Sequence, residues 1–178
     1  DDASTPRLLQ ALIDRRLTSA YPQRGKPAAS PAIALPRYWA REGAPRGRPP
    51  IVARDLRRFI ASCAYAACSR TFLPFSSTVS AVRRRADRGH SRPVGAEELA
   101  LRVRVFDWLR PLAFRKTDEC FLYCLAMRGF LSNYGIAPAW VFAVRTQPFA
   151  AHCWLQHGDQ VLTDIPFNLR RMVPILVL

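Results

Sequence analysis

Thr117-Asp118-Glu119-Cys120-Phe121-Leu122-Tyr123-Cys124-Leu125-Ala126-Met127-Arg128-Gly129-Phe130-Leu131-Ser132-Asn133-Tyr134-Gly135 reads as one helix with its own start and stop signals. Thr117 and Asp118 are N-cap candidates, an apolar run follows, and Asn133-Tyr134-Gly135 is a C-cap signature. Cys120 then falls in the first helical turn. Backbone N–H groups are unpaired there and the helix dipole is positive, so a thiolate is favoured and the Cys120 pKa is expected to fall below that of a free thiol.

The segment after Gly135 supplies a sheet. Pro138-Ala139-Trp140-Val141-Phe142-Ala143-Val144 is a continuous apolar run rich in β-branched and aromatic residues, as in a buried strand. Ala150 to Gln156 and Gln160 to Ile165 flank His157-Gly158-Asp159, a hairpin signal with Gly-Asp at its tip. With a three-residue loop Gln156 faces Gln160, and stepping back by twos brings His152 opposite Asp164 on one face of the pair. A two-residue loop moves the register by one and sets Cys153 against Asp164 instead. The expected site therefore requires an odd-length loop.

Cys120, His152 and Asp164 are the residue types of a thiol hydrolase: a nucleophile, a base that takes its proton, and a carboxylate that fixes the tautomer of the base. Taken singly, a buried cysteine is usually a small inert hydrophobe and a histidine near a strand is usually just hydrogen-bonded. The combination carries the reading. Backbone N–H groups at the helix start, that of Cys120 first, are the candidate oxyanion donors. Trp154, two residues on, shares the strand face of His152, where it either shields the ion pair or simply packs in the core. Cys124, one turn further along the helix among apolar neighbours, is expected to be inert. Zinc held by Cys120, Cys124 and one of His152 or Cys153 is the competing chemistry. His152 and Cys153 are adjacent on a strand and point to opposite sides, so only one could join the other two.

Three further segments precede this half. Residues 4–20 read as one amphipathic helix, with Ser4 or Thr5 as N-cap, Pro6 at its first position and Leu8, Leu9, Leu12, Ile13 and Leu17 at helical spacing. Residues 21–50 hold seven prolines with Gly25, Gly43 and Gly47 and read as a linker that Leu35, Tyr38 and Trp39 could dock locally. Residues 51–90 read as helix broken near Pro74. Residues 96–110 read as another, with Glu97 and Glu98 in its first turn and Leu99, Val103, Phe106 and Leu109 on one face. The fold class is α+β: a helical N-terminal lobe, and a catalytic half (within residues 51–178) in which the Cys120 helix packs on an antiparallel sheet carrying His152 and Asp164.

Composition limits the alternatives. The chain has 178 residues, 49% of them hydrophobic, enough for one core. Its five cysteines are an odd number without regular disulfide spacing, which points to a reducing cytoplasm, and Cys63 and Cys68, five apart, do not share a helix face as paired metal ligands would. The apolar stretches are interrupted by Arg110, Arg128 or Arg145, so no membrane span is expected, and the opening Asp1-Asp2-Ala3-Ser4 is no secretory signal and is expected to be a trimmed start. A net charge of +14 invites a nucleic-acid reading, but no groove-reading motif accompanies it, and Arg83-Arg84-Arg85 and Arg170-Arg171 are most simply solvated faces.

Cys120-Phe-Leu-Tyr-Cys-Leu-Ala-Met, Tyr134-Gly135-Ile136, Pro148-Phe149-Ala-Ala-His152-Cys-Trp154 and Val161-Leu162-Thr163-Asp164 together resemble the lasso peptide biosynthesis B proteins, the transglutaminase-like leader peptidases. The resemblance is close over residues 100–178 and general over 51–99. It departs at Cys124, where the family usually has serine or another small residue. It implies a papain/transglutaminase-like catalytic half and a cysteine endopeptidase that removes the leader from a ribosomally made lasso precursor, with Cys120, His152 and Asp164 as catalytic residues. It implies as partners that precursor and an asparagine-synthetase-like cyclase, and ATP-dependent maturation, although no Gly-rich phosphate loop occurs here and no cofactor-binding motif is recognised. In fused family members a small winged-helix leader-binding domain precedes the peptidase, and the helix at 4–20 resembles its last helix; equally, it reads as a helix docked on the core. An acyl transferase with the same triad and a catalytically silent precursor-binding subunit remain the alternatives.

Overall fold

Helix-forming sequence fills the first part of the described chain and strand-forming sequence the last. The computed structural model describes residues 33–42, 47–88, 94–114 and 120–178. The helix expected at 4–20, most of the Pro-rich stretch, and Thr117 and Asp118 lie outside the described residues. Everything described belongs to one unit, residues 31–178. Its elements are β1 (Tyr38–Trp39), α1 (Ala53–Phe72), α2 (Phe75–Arg88), α3 (Ala96–Leu109) with a 3-10 turn at Arg110–Leu112, α4 (Cys120–Ser132), β2 (Ala139–Thr146), β3 (Phe149–His157), β4 (Gln160–Val161), α5 (Pro166–Leu169) and β5 (Val173–Val177). The architecture is α+β.

Helix α4 is apolar on most of its circumference, and most of its residues from Leu122 to Leu131 are buried, as expected of a helix packed on several sides. It ends as its sequence dictates. Gly135 adopts φ 75°, and the N–H of Ile136 donates to the carbonyl of Leu131, closing the last turn. Helix α1 lays a face of Asp55, Phe59, Ser62, Ala66 and Ser69 inward and packs on α4. Close approach is set by Gly129, where a Cβ would stand 3.4 Å from Ser62 Oγ. The expected inward face of α3, Leu99, Val103, Phe106 and Leu109, is buried, with Val105 besides. Phe106 is the hub of the core, its ring centroid 5.1 Å from that of Phe59, 5.4 Å from Phe130 and 5.7 Å from Tyr123.

The sheet runs β1-β4-β3-β2-β5. β2 and β3 form a long antiparallel hairpin, Ala139 opposite Gln156 through to Thr146 opposite Phe149, and β5 adds antiparallel to the other side of β2. Alternation gives the sheet two apolar faces. Trp140, Cys153 and Leu155 join the core with α4, whereas Val141, Ala143, Trp154 and Val161 pack with Leu169.

Several expectations are corrected. The β3–β4 loop has two residues, Gly158 and Asp159, because Gly158 takes φ 60° and lets the chain reverse at once; His157 faces Gln160, and Gln156 faces Val161 instead of Gln160. The expected strand at 160–165 is only two residues long. Within the stretch expected as linker, Tyr38–Trp39 is a strand parallel to β4, and the Ala34 carbonyl accepts from Gln156 Nε2 at 2.7 Å. Of the three residues expected to dock this segment, Leu35 and Tyr38 are 77% and 54% exposed, and Ala40 is buried beside the strand in their place.

Candidate active site

Cys120 opens α4, His152 lies in the middle of β3, and Asp164 follows β4. The register rules out the expected direct cross-strand pairing of His152 and Asp164, yet the two meet: His152 Nε2 and Asp164 Oδ2 are 2.7 Å apart. The cause is that the ladder stops early. Leu162 still donates to the Leu155 carbonyl, but at the next step the N–H of Leu155 bonds to the side chain of Thr163 (Oγ1, 2.9 Å), and the chain bends out of the sheet. That bend moves Asp164 off the strand register and onto His152.

Asp164 is itself clamped. Its Oδ1 accepts from the N–H of Ile165 at 2.6 Å and from Asn168 Nδ2 at 2.9 Å, leaving Oδ2 for the imidazole. Burial pulls its carboxyl upward, but the bonds from His152, Ile165 and Asn168 outweigh it and hold Asp164 below the ordinary carboxylate range. Asn168 was not singled out in the sequence; the signal for it is Pro166, which starts the short turn of α5 and brings residue 168 back beneath residue 164.

His152 Nε2 is committed to Asp164, so Nδ1 is the nitrogen left for Cys120. The Asp164 bond first, and the Cys120 thiol next, push His152 up to about 9. Its ring stacks on buried Trp154, centroids 6.3 Å apart at 26°, so Trp154 both packs in the core and covers one face of the imidazole.

The thiol differs from expectation. Cys120 is pushed up to about 12, first by its interaction with the Cys153 side chain and further by desolvation, with His152 pulling the other way. Cys120 is the first described residue of α4, and a neighbouring buried thiol raises it where a helix-terminal place was expected to lower it. Both His152 and Cys153 act on Cys120, although strand alternation had left room for only one of them. Cys124 is fully buried, its Sγ 3.5 Å from the Cys153 carbonyl and 3.7 Å from Thr163 Oγ1. Among the described residues no group of three His, Cys, Asp or Glu side chains is arranged to hold a metal ion.

These groups line one cleft of about 260 Å³. The helical side contributes Arg110, Phe114, Cys120 and Tyr123; the sheet side contributes His152, Cys153, Thr163, Asp164 and Asn168. Behind it, Tyr123 donates to Asp107 Oδ1 at 2.6 Å, and Arg41 Nη2 reaches the same oxygen at 2.5 Å and the Tyr123 hydroxyl at 2.9 Å. Burial pushes Asp107 above the usual carboxylate range despite Arg41.

A thiol beside an imidazole, itself bonded to a carboxylate, at the start of a helix that packs on an antiparallel sheet is the arrangement of a thiol acyl-transfer site. The sequence pattern of the transglutaminase-like superfamily matches residues 64–177, which include Cys120, His152 and Asp164. The chain belongs to the transglutaminase-like superfamily. It is 36% identical, over 59 residues, to the microcin J25-processing protein McjB of Escherichia coli. That alignment covers 33% of this chain and only 28% of McjB. No solved structure matches this transglutaminase-like chain. Among the described residues no helix is long and apolar enough to cross a membrane.

Proposed function

We propose that this protein is a cysteine endopeptidase that removes the leader from a ribosomally made lasso precursor peptide. The observation that carries the proposal is the convergence of Cys120 and the His152–Asp164 pair in one cleft. Similarity to a microcin-processing protein supports the substrate class. With His152 near 9 and Cys120 near 12, the first proton the pair loses leaves from the imidazole. The reactive form is then a neutral imidazole beside a thiol, and His152 Nδ1 takes the thiol proton as Sγ attacks the scissile carbonyl, with no preformed ion pair. Asp164 Oδ2 holds the Nε2–H. The N–H of Cys120 is the proposed oxyanion donor. The imidazolium returns its proton to the leaving amine, and water, deprotonated by the same nitrogen, releases the acyl group from Cys120.

The proposal extends to the precursor and an asparagine-synthetase-like cyclase as partners, to ATP use in that maturation, and to a cytoplasmic site, which suits five unpaired cysteines. Mass spectrometry of the precursor after incubation tests it. Cys120→Ala abolishes leader removal, whereas Cys124→Ser, at a buried thiol, retains most of it; equal loss in both would mean that the helix boundary is misread and the two thiols are not distinguished. The raised Cys120 pKa favours a second reading, a precursor-binding subunit without turnover, which predicts intact precursor at every pH up to 10.

A further inference from the structure

Arg110 has no role in the acyl-transfer chemistry, yet it lines the cleft that holds Cys120, His152 and Asp164. It is the first residue of the 3-10 turn after α3, and its guanidinium lies over the Tyr123 ring, 5.1 Å from the centroid. Among the described carboxylates, Asp107 is one that feels the Arg110 charge. That carboxylate is already occupied by Arg41 at 2.5 Å and by Tyr123, and Arg110 influences it only through space. Among the described residues the backbone of Arg110 bonds to Asp107, Ala113 and Phe114, and its guanidinium makes no hydrogen bond or ion pair. Stacking holds the plane of an arginine and leaves its edge, a fork of N–H donors matched to a carboxylate, free to bond elsewhere. The carboxylate that lines the cleft among the described residues, Asp164, has both oxygens engaged by His152, Ile165 and Asn168. Among the described residues this cationic donor set beside the nucleophile therefore has no internal acceptor.

We propose that Arg110 is a specificity residue that binds an acidic side chain of the peptide next to the scissile bond. This rests on the peptidase reading for the identity of the substrate, though not for the existence of the anion site. Tyr123 orients Arg110 from below, and the Arg41–Asp107 pair fixes Tyr123, so the residues that hold the guanidinium come from three separate segments of the chain. The geometry suits a carboxylate, which can accept two parallel N–H bonds, better than an amide, which offers one oxygen.

Two measurements separate this proposal from the peptidase reading. In the first, the full chain and its Arg110→Gln variant are alkylated with iodoacetate and with iodoacetamide, and modification is quantified at Cys120. These reagents share their chemistry and differ in charge. The wild-type ratio of anionic to neutral reagent falls about fivefold in Arg110→Gln at low ionic strength, the factor a single charge about 4 Å away contributes in water, and 0.5 M salt reduces the difference. In the second, paired peptide substrates carrying Glu or Gln beside the cleavage site are compared by kcat/KM. Wild type prefers Glu, Arg110→Gln loses the preference, and Arg110→Lys keeps part of it. An unchanged reagent ratio in Arg110→Gln overturns the anion site whatever happens to peptides. A changed ratio without cleavage of any peptide upholds the anion site and removes the peptidase reading. Cleavage with the same Glu preference in wild type and Arg110→Gln overturns the specificity role.

Discussion

Replacing Asp164 with asparagine changes one atom and, from the bonds at this residue, forces the wrong histidine tautomer. Asp164 Oδ1 accepts two donors, the Ile165 N–H and Asn168 Nδ2, while Oδ2 accepts from His152 Nε2. An asparagine has one acceptor oxygen and must place it where two donors converge, so its NH₂ turns to His152. Nε2 then becomes an acceptor, the ring proton moves to Nδ1, and the nitrogen facing Cys120 can no longer take the thiol proton. The expected loss in kcat is about 10²- to 10⁴-fold, the upper value being the cost of a wrong tautomer in a serine triad. The same change removes the first cause of His152's rise from 6.5 to about 9. At 1.36 kcal/mol per factor of ten that rise corresponds to about 3 kcal/mol, reduced to about 1.5 kcal/mol for a ring that is partly solvated. The folded-state pKa of His152 is raised, so this stabilisation is complete below 6.5 and disappears as pH rises through about 9. Asp164 is lowered, so the same pair also weakens in acid as pH falls through its folded value. The melting temperatures of wild type and Asp164→Asn should therefore differ most between about pH 4 and 6.5 and converge above 9. Imidazole NMR gives the pKa, and single-turnover cleavage gives the rate. A variant that cleaves within tenfold of wild type, with its histidine still titrating near 9, would refute the tautomer argument.

The remaining predictions use other contacts of the same site and core. Cys153→Ala removes the main cause that raises Cys120, so the pH profile of Cys120 alkylation should move to lower pH and the rate at pH 7 should increase; an unchanged profile would show that Cys153 does not control the thiol. Cleavage by wild type should rise with pH toward about 9, because the active form has a neutral His152, and a plateau already reached by pH 7 would contradict the assigned order of proton loss. Phe106→Ala, which empties the centre of the aromatic cluster between α1, α3 and α4, should cost about 3–5 kcal/mol in urea unfolding, and a loss under 1 kcal/mol would mean that the surrounding rings close the space.

Local signals made the helices legible. Helix α4 could be read because its start, apolar run and glycine stop lie in one continuous segment, and the face of α3 because four apolar positions share a helical period. The edges of the sheet could not be read this way. Val173-Pro174-Ile175 carries a proline, which argues against a strand unless the strand is an edge, and β5 is one. β1 is two residues in a Pro-rich segment, and its partner lies more than a hundred residues away, so no local pattern announces it. The acidity of Cys120 failed for a related reason. Its helix position is a property of the local sequence, but its contact with Cys153 exists only after the sheet has folded against α4.

That Cys120, His152 and Asp164 meet in one cleft was legible even though the register that justified it was not. Alternation along β3 fixes which face His152 shares with Trp154, and that held. Pairing across the loop depends on whether His157 belongs to the turn or to the strand, and a single positive φ at Gly158 puts it in the strand. Had β4 continued as a regular strand, this would have carried Asp164 past His152 and set it against Cys153. Thr163 prevents that outcome: by giving Leu155 a side-chain acceptor it replaces the next ladder bond, and α5 then anchors Asp164 through Asn168. The His152–Asp164 bond thus depends on where the strand ends. A carboxylate held by a bend and a short helix is fixed by its own hydrogen bonds, so the site requires Thr163, Pro166 and Asn168 as supports, none of which a triad search would select.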